Sequence, residues 1–465
     1  MNELASGGFR QRDRYMNIIS IGAVMFFFAA FLSQWLSFDR GAMILANIVL
    51  PVTAFVTGLT LFRAASMQSI ELKLCGVFVL WFAITRILQG DLYLNYGRDR
   101  LAILFGSMVF LMSAYMSMDA NAQRKCTKLV LTGLLAFLLL FAWVSIFAVI
   151  TNTRVLLPFA QNTIGINDEM RLEIIDRHPN LVGCVYSVSI LVMLYLYSIA
   201  RRKKLTGLLG AIVIISFYTI VALTVSRTAK LNLVIFLGLF AFIITSKKCG
   251  LKSGIANKII AVLLAILLCG LAYLGFDVVQ STMQKLSNDY TSSVTAANIQ
   301  TAQSGTLLSA TDTPVQSSQG LNAPVQSAAP AATPAVIAER SLTDNATTLN
   351  GRTDIYLATL RGMLDHPQTF LFGAADEETM QHTNAYLSSP VSHTHNALLQ
   401  VLANTGVIGL LIIIGFCYTL IRSSVNLLKS GTATQSDKVS LLIPSMLLVH
   451  SMLEPFVFMC YDITT

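Results

Sequence analysis

The run SHTHNALLQVLANTGVIGLL, Ser392 to Leu411, places His393 and His395 beside Asn396, then turns almost wholly apolar, punctuated by Gly406 and Gly409. A histidine can act as a general base near neutral pH or as a metal ligand. The chain has no HExxH, and no cysteine or carboxylate cluster completes a zinc ligand set. Few other polar groups suit chemistry. Arg177 stands in RHPNLVG, Arg227 in SRTAK, Arg352 after Gly351, and Glu454 inside a late apolar run before Pro455. Arginines fork onto phosphates with bidentate geometry. Each residue also has a plainer use. Pro179 and Asn180 can start a helix, Arg227 can snorkel to an interface, and His395 and Asn396 can cap a helix. An intramembrane carboxylate such as Glu454 is a functional candidate by default.

The elements that must position these groups follow from composition. Of 465 residues, 54% are hydrophobic and 12% charged, against about 25% charged in an ordinary soluble domain. With a mean hydropathy of +0.65, the chain reads as a polytopic membrane protein. The seven cysteines form no CxxC pair, and most sit inside apolar runs, as small core residues do. The first apolar run lacks a small-residue cleavage site and reads as a retained helix.

A bilayer crossing takes roughly 20 apolar residues. Eleven stretches qualify: 17–36, 42–62, 72–88, 101–118, 129–150, 181–200, 205–225, 229–246, 258–276, 397–421 and 439–459. The third is the weakest, because it contains Arg86. Lysine and arginine favour cytoplasmic loops. They cluster before the first span and after the fourth, sixth, eighth and tenth, which puts the N-terminus in the cytoplasm. The segments 151–180 and 277–396 then face outward. The second carries four Lys/Arg and ten Asp/Glu, so the formal charge of +8 is topological and marks no nucleic-acid surface.

The expected fold is all-α, a bundle of about 11–12 transmembrane helices with one large extracytoplasmic loop containing short helices. Residues 1–276 hold helices one to nine, 277–396 the loop, and 397–465 the last two. Within the loop, 291–338 is rich in Ser, Thr, Ala, Gln and Pro, and no aromatic residue occurs between Tyr290 and Tyr356. That composition predicts disorder. Order should resume in an amphipathic helix capped by Thr353 or Asp354 and ending before Pro367, with Tyr356, Leu360, Met363 and Leu364 at helical spacing. Arg177, Arg227, Arg352 and His395 all fall on the outer side. Arginines plus one base above a membrane suit transfer of a group off a lipid-linked diphosphate.

At these residues the chain resembles the O-antigen ligase family of bacterial membrane glycosyltransferases, which includes related polysaccharide polymerases. The family motif is His, then Asn, Ser or Gln, nine residues, Gly, two residues and a small or polar residue. Here it reads His395, Asn396, ALLQVLANT, Gly406, Val407, Ile408, Gly409. The SRTA turn and the Gly-Arg before a loop helix are similar to family features. The resemblance covers roughly 170–460.

It implies a multipass enzyme of the bacterial cytoplasmic membrane, with no cofactor and no metal. The donor would be an oligosaccharide or polysaccharide on undecaprenyl diphosphate, the acceptor a glycan or lipid hydroxyl, with membrane lipids around both. His395 would activate the acceptor, with inversion at the anomeric carbon. Arg227 and Arg352 would bind the diphosphate, with Arg177 a further candidate. Asn396, Glu454, Gly406 and Gly409 would support the site, the glycines by letting another helix approach. A polymerase of surface polysaccharide is the alternative. A transporter or flippase of lipid-linked glycans is a third reading, which predicts repeated halves and mid-bilayer charges; the sequence displays no repeat, and the candidate arginines lie at the ends of spans. Glycan transfer by the purified protein should survive EDTA; an enzyme silenced by the chelator and restored by zinc would return the two histidines to a metal role.

Overall fold

A computed structural model describes residues 17–25, 28, 69–88, 100–156, 163–167, 171–175, 178–200, 203–248, 255–308, 351–374, 376–391 and 393–452. Helix α1 covers 17–25. Then follow α2 (Ile70–Leu88), α3 (Arg100–Met116), α4 (Ala120–Ile150), α5 (Pro179–Ile199), α6 (Lys203–Leu223), α7 (Arg227–Lys248) and α8 (Ile255–Leu308). The loop helices are α9 (Arg352–Leu364), α10 (Pro367–Phe372) and α11 (Asp376–Asn384), and the chain returns through α12 (Ala397–Lys429) and α13 (Gln435–Ser451). Among the described residues, six helices (α4 to α8 and α12) are long and apolar enough to cross a membrane. The protein is an all-α polytopic membrane protein. The weak third span is a helix after all: the buried Arg86 guanidinium lies 4.7 Å from the Phe82 ring centroid.

Between lipid-solvated helices, close packing takes over from the hydrophobic effect as the cohesive term. Gly183 on α5 shows it. A Cβ there would stand 2.7 Å from the Ala229 Cβ on α7, so only glycine permits this approach. Tyr186, one turn on, is fully buried, donates to the Leu138 carbonyl of α4 and meets Phe217 of α6 edge-on. In contrast, α8 presents apolar residues on nearly all sides from Ile259 to Val278, as a lipid-facing helix does.

Two elements depart from expectation. Residues 291–308 do not lie in a separate disordered segment but continue α8, a 54-residue helix. Propagating a helix that is already nucleated costs far less than starting one. The Ser and Thr hydroxyls there bond back along the helix, Thr291 to Ser287 O, Ser292 to Asn288 O and Thr295 to Thr291 O. At about 1.5 Å per residue α8 runs roughly 80 Å, well beyond a hydrocarbon core of about 30 Å. The rest of the predicted insert, 309–338, lies outside the described residues. The second departure is a three-stranded antiparallel sheet within 151–180, β1 (Val155–Leu156), β2 (Thr163–Ile166) and β3 (Leu172–Ile174), where no strand was expected. The buried Arg171 beside it donates to Thr224 O and Asn180 Oδ1, tying the sheet to the α6–α7 turn and the start of α5.

Helix α12 is broken. Gly406 has φ 68° and ψ −176°, a conformation open essentially to glycine alone. Two half-helices result, and the nine residues 397–405 form the first. The second, 407–429, is about 35 Å long and suffices by itself for a crossing. The break strands helix carbonyls that its surroundings satisfy. Ala403 O accepts from Ala374 N at 2.9 Å, and Thr405 O accepts from Trp81 Nε1 at 2.9 Å. The end of α10 enters the gap, its Phe372 ring stacked on Trp81. Gly406 therefore does not serve the helix–helix approach expected of it; a Cβ there would lie 2.1 Å from Leu371 O. Gly409 does admit a helix, with the Trp81 ring of α2 at 3.3 Å from a built Cβ.

Gly406→Ala combines that collision with a backbone penalty of about 1–3 kcal/mol. The detergent-solubilised variant should unfold at markedly lower temperature than Gly415→Ala, whose added methyl meets open space. Equal unfolding temperatures would overturn the reading of the break.

Candidate functional site

His395 sits just before α12 rather than in its first turn. Asn396 is the N-cap, its Oδ1 accepting from Leu399 N at 3.0 Å. His395 has φ 53°, in the left-handed region that few residues other than glycine enter, histidine more readily than most. Its backbone is gripped on both sides. The His395 N–H donates to His393 Nδ1 at 3.2 Å, and the His395 carbonyl accepts from Tyr356 Oη at 3.2 Å. The two imidazole centroids are 3.9 Å apart, tilted by 54°. His393 thus plays a structural part. Its Nδ1 is an acceptor, which puts the proton of the neutral ring on Nε2.

Between them Thr394 is fully buried. Its N–H donates to Gln400 Oε1 at 3.0 Å, its hydroxyl lies 2.9 Å from Asn396 O, and Gln400 Nε2 reaches Asn404 Oδ1 at 3.3 Å. This ladder runs up the inside of the half-helix and satisfies polar groups that apolar surroundings would otherwise penalise.

The arginines approach from two directions. Gly351, at φ 75°, starts α9, and Arg352 is its first residue; the cap is neither Thr353 nor Asp354. Tyr356 is one turn further along that helix, so the helix carrying Arg352 also holds the His395 carbonyl. Arg227 is the first residue of α7, after the left-handed Val225 and Ser226, whose Oγ accepts from Ala229 N. One turn on, Asn232 Nδ2 meets the buried His450 Nδ1 of α13 at 3.1 Å. Helix α13 then ends at Met452, whose carbonyl accepts from Asn396 Nδ2 at 2.9 Å. Contacts therefore run from the Arg227 helix through α13 to the cap beside His395. All of these groups lie at the end of the bundle that also carries the sheet. The opposite end is joined by Ser198–Ser436 and Ser423–Glu71 bonds. Arg177 and Glu454 lie outside the described residues.

A family model described as O-antigen ligase matches residues 210–414. Over that stretch, a little under half of the chain, the protein is similar to the O-antigen ligase family. None of the curated proteins compared with it matches. The match opens inside α6 and closes inside α12, so it takes in Arg227, Arg352, His395, Asn396, Gly406 and Gly409. Arg177 and Glu454 fall outside that match as well as outside the described residues. The nine-residue spacing in the ligase motif acquires a physical meaning: it is the length of the half-helix between the Asn396 cap and the Gly406 break.

Sequence reasoning missed Tyr356 as a partner of His395, counting it only among apolar positions of its helix. It also missed Trp81, Arg171 and the Asn232–His450 pair. A tryptophan at mid-span and an asparagine and a histidine inside apolar runs were the available signals.

The loop helices hold a second histidine contact. His366 and His382 stack at 3.8 Å, 10° from parallel, with the His382 backbone pressed against Gly362 of α9. Desolvation, then the neighbouring His366, pushes the His382 pKa below its usual 6.5, against the opposing pull of Glu378. A base with a lowered folded-state pKa binds fewer protons folded than unfolded, so its contribution to stability is present above 6.5 and is lost as pH falls below it. Amides of α9 and α11 should exchange faster at pH 5 than at pH 7 after correction for intrinsic rates, and His382→Gln should remove that difference. A difference unchanged in His382→Gln would assign the pH sensitivity to other groups.

Proposed function

We propose that the protein is an inverting glycosyltransferase that moves a glycan from undecaprenyl diphosphate to an acceptor hydroxyl at the outer face of the bacterial cytoplasmic membrane. The observation that carries this reading is the convergence on one bundle end of His395, the Arg352 helix and the Arg227 helix, through the contacts of Tyr356 and Asn396. The clustering of Lys and Arg at the opposite end supports placing the His395 end outside and the N-terminus in the cytoplasm.

In this mechanism His395 takes the proton of the acceptor hydroxyl. The acceptor oxygen bonds to the anomeric carbon from the face opposite the leaving group, and the bond from that carbon to the diphosphate oxygen breaks. Negative charge then develops on the departing lipid diphosphate. Arg227 and Arg352 meet it as fixed bidentate donors, doing the work that a metal ion does elsewhere. A finished glycan moved onto a lipid makes the enzyme a ligase; the same step onto a growing glycan makes it a polymerase. The match of residues 210–414 to an O-antigen ligase model is compatible with both, because the family includes polymerases.

In proteoliposomes supplied with lipid-linked glycan, His395→Ala should lower transfer by about 10²–10⁴-fold, the usual contribution of a general base, while the variant still inserts and folds. Arg227→Ala and Arg352→Ala should chiefly weaken the response to donor concentration. Near-normal transfer by His395→Ala would sink the mechanism.

A further inference from the structure

We infer that Tyr356 is a positioning residue for His395, setting the direction of its imidazole through the backbone and not through contact with substrate. This rests on the role proposed for His395. The left-handed conformation of His395 decides where its Cα–Cβ bond points, and a residue other than glycine keeps such a conformation only when its surroundings hold it. Two hydrogen bonds do so. His393 Nδ1 accepts from the amide on one side, and the Tyr356 hydroxyl donates to the carbonyl on the other. The Tyr356 contact differs from the other because it comes from a separate element, α9, whose first residue is Arg352. Arg352 and Tyr356 are four residues apart on that helix and share a face. This hydroxyl therefore links the backbone of the base directly to the helix that carries one phosphate-binding arginine, groups far apart in the chain. Without it the 395–396 peptide can turn, and small displacements of a catalytic group cost rate more than binding.

The test uses the full-length protein in lipid vesicles with lipid-linked glycan as donor. Tyr356→Phe keeps the ring and removes the hydroxyl. It should lower kcat roughly 2- to 10-fold, the worth of one hydrogen bond, while the donor KM stays at its wild-type value and the variant still folds, its unfolding temperature falling by no more than the loss of one hydrogen bond gives. Combined with His395→Ala, it should cause no loss beyond that of His395→Ala alone, because it acts through that histidine. A wild-type kcat, a change confined to KM, or a further loss in the double variant would overturn the inference. The two readings fail separately: an inactive His395→Ala beside a fully active Tyr356→Phe removes only the role of Tyr356. A normally active His395→Ala removes the proposed reaction and this inference with it.

Discussion

A peptide carbonyl with no partner in apolar surroundings costs several kcal/mol, and the break at Gly406 would leave such carbonyls at the end of a half-helix. Much of the site's architecture answers that one constraint. The Ala374 amide and the Trp81 indole reach Ala403 and Thr405, and the turn after α10 enters the gap. The loop helices are thereby docked against a membrane helix by hydrogen bonds that have a definite direction. A purely greasy contact would leave the lobe free to slide; these bonds give it one register. Gly373, whose built Cβ would overlap the Asn404 carbonyl, marks how closely the two backbones meet.

Docking the lobe decides where the candidate residues stand. The half-helix 397–405 is held at its far end by the break and at its near end by the Asn396 cap, which also reaches α13 through Met452. His395 precedes the cap in a conformation that its neighbours maintain. The lobe that plugs the break carries Arg352 and Tyr356 back to it. Arg227 arrives from the transmembrane bundle, where α7 packs on α5 through Gly183 and on α13 through Asn232 and His450. In the proposed reaction, the groups that meet the lipid diphosphate and the acceptor hydroxyl are thus assembled from loop, half-helix and bundle.

How much of this was legible in the residues differs from element to element. The α4 and α6 spans were plain from apolar runs without charge, Leu129 to Ile150 and Leu205 to Ser226, because the bilayer demands length and apolarity whatever the tertiary contacts. Helix α9 was legible from the spacing of Tyr356, Leu360, Met363 and Leu364, though its start was misplaced because the cap is a left-handed glycine. The extension of α8 through Leu308 was hidden by a composition typical of disorder, since propagation depends on the helix already formed upstream and not on the segment alone. The small sheet was hidden because its strands are two to four residues long.

The sequence by itself determined the class, the lysine and arginine pattern from which sidedness is argued, and His395, Arg227 and Arg352 as candidates to act on a lipid-linked diphosphate. These follow from side-chain chemistry and from the energetic rules of the bilayer, both local in the chain. The tertiary structure alone decided that Gly406 breaks a helix, that Tyr356 holds the carbonyl of His395, and that His393 accepts from its amide. Those facts concern hydrogen bonds between distant segments or at an unusual backbone angle, and no property of the separate segments specifies them.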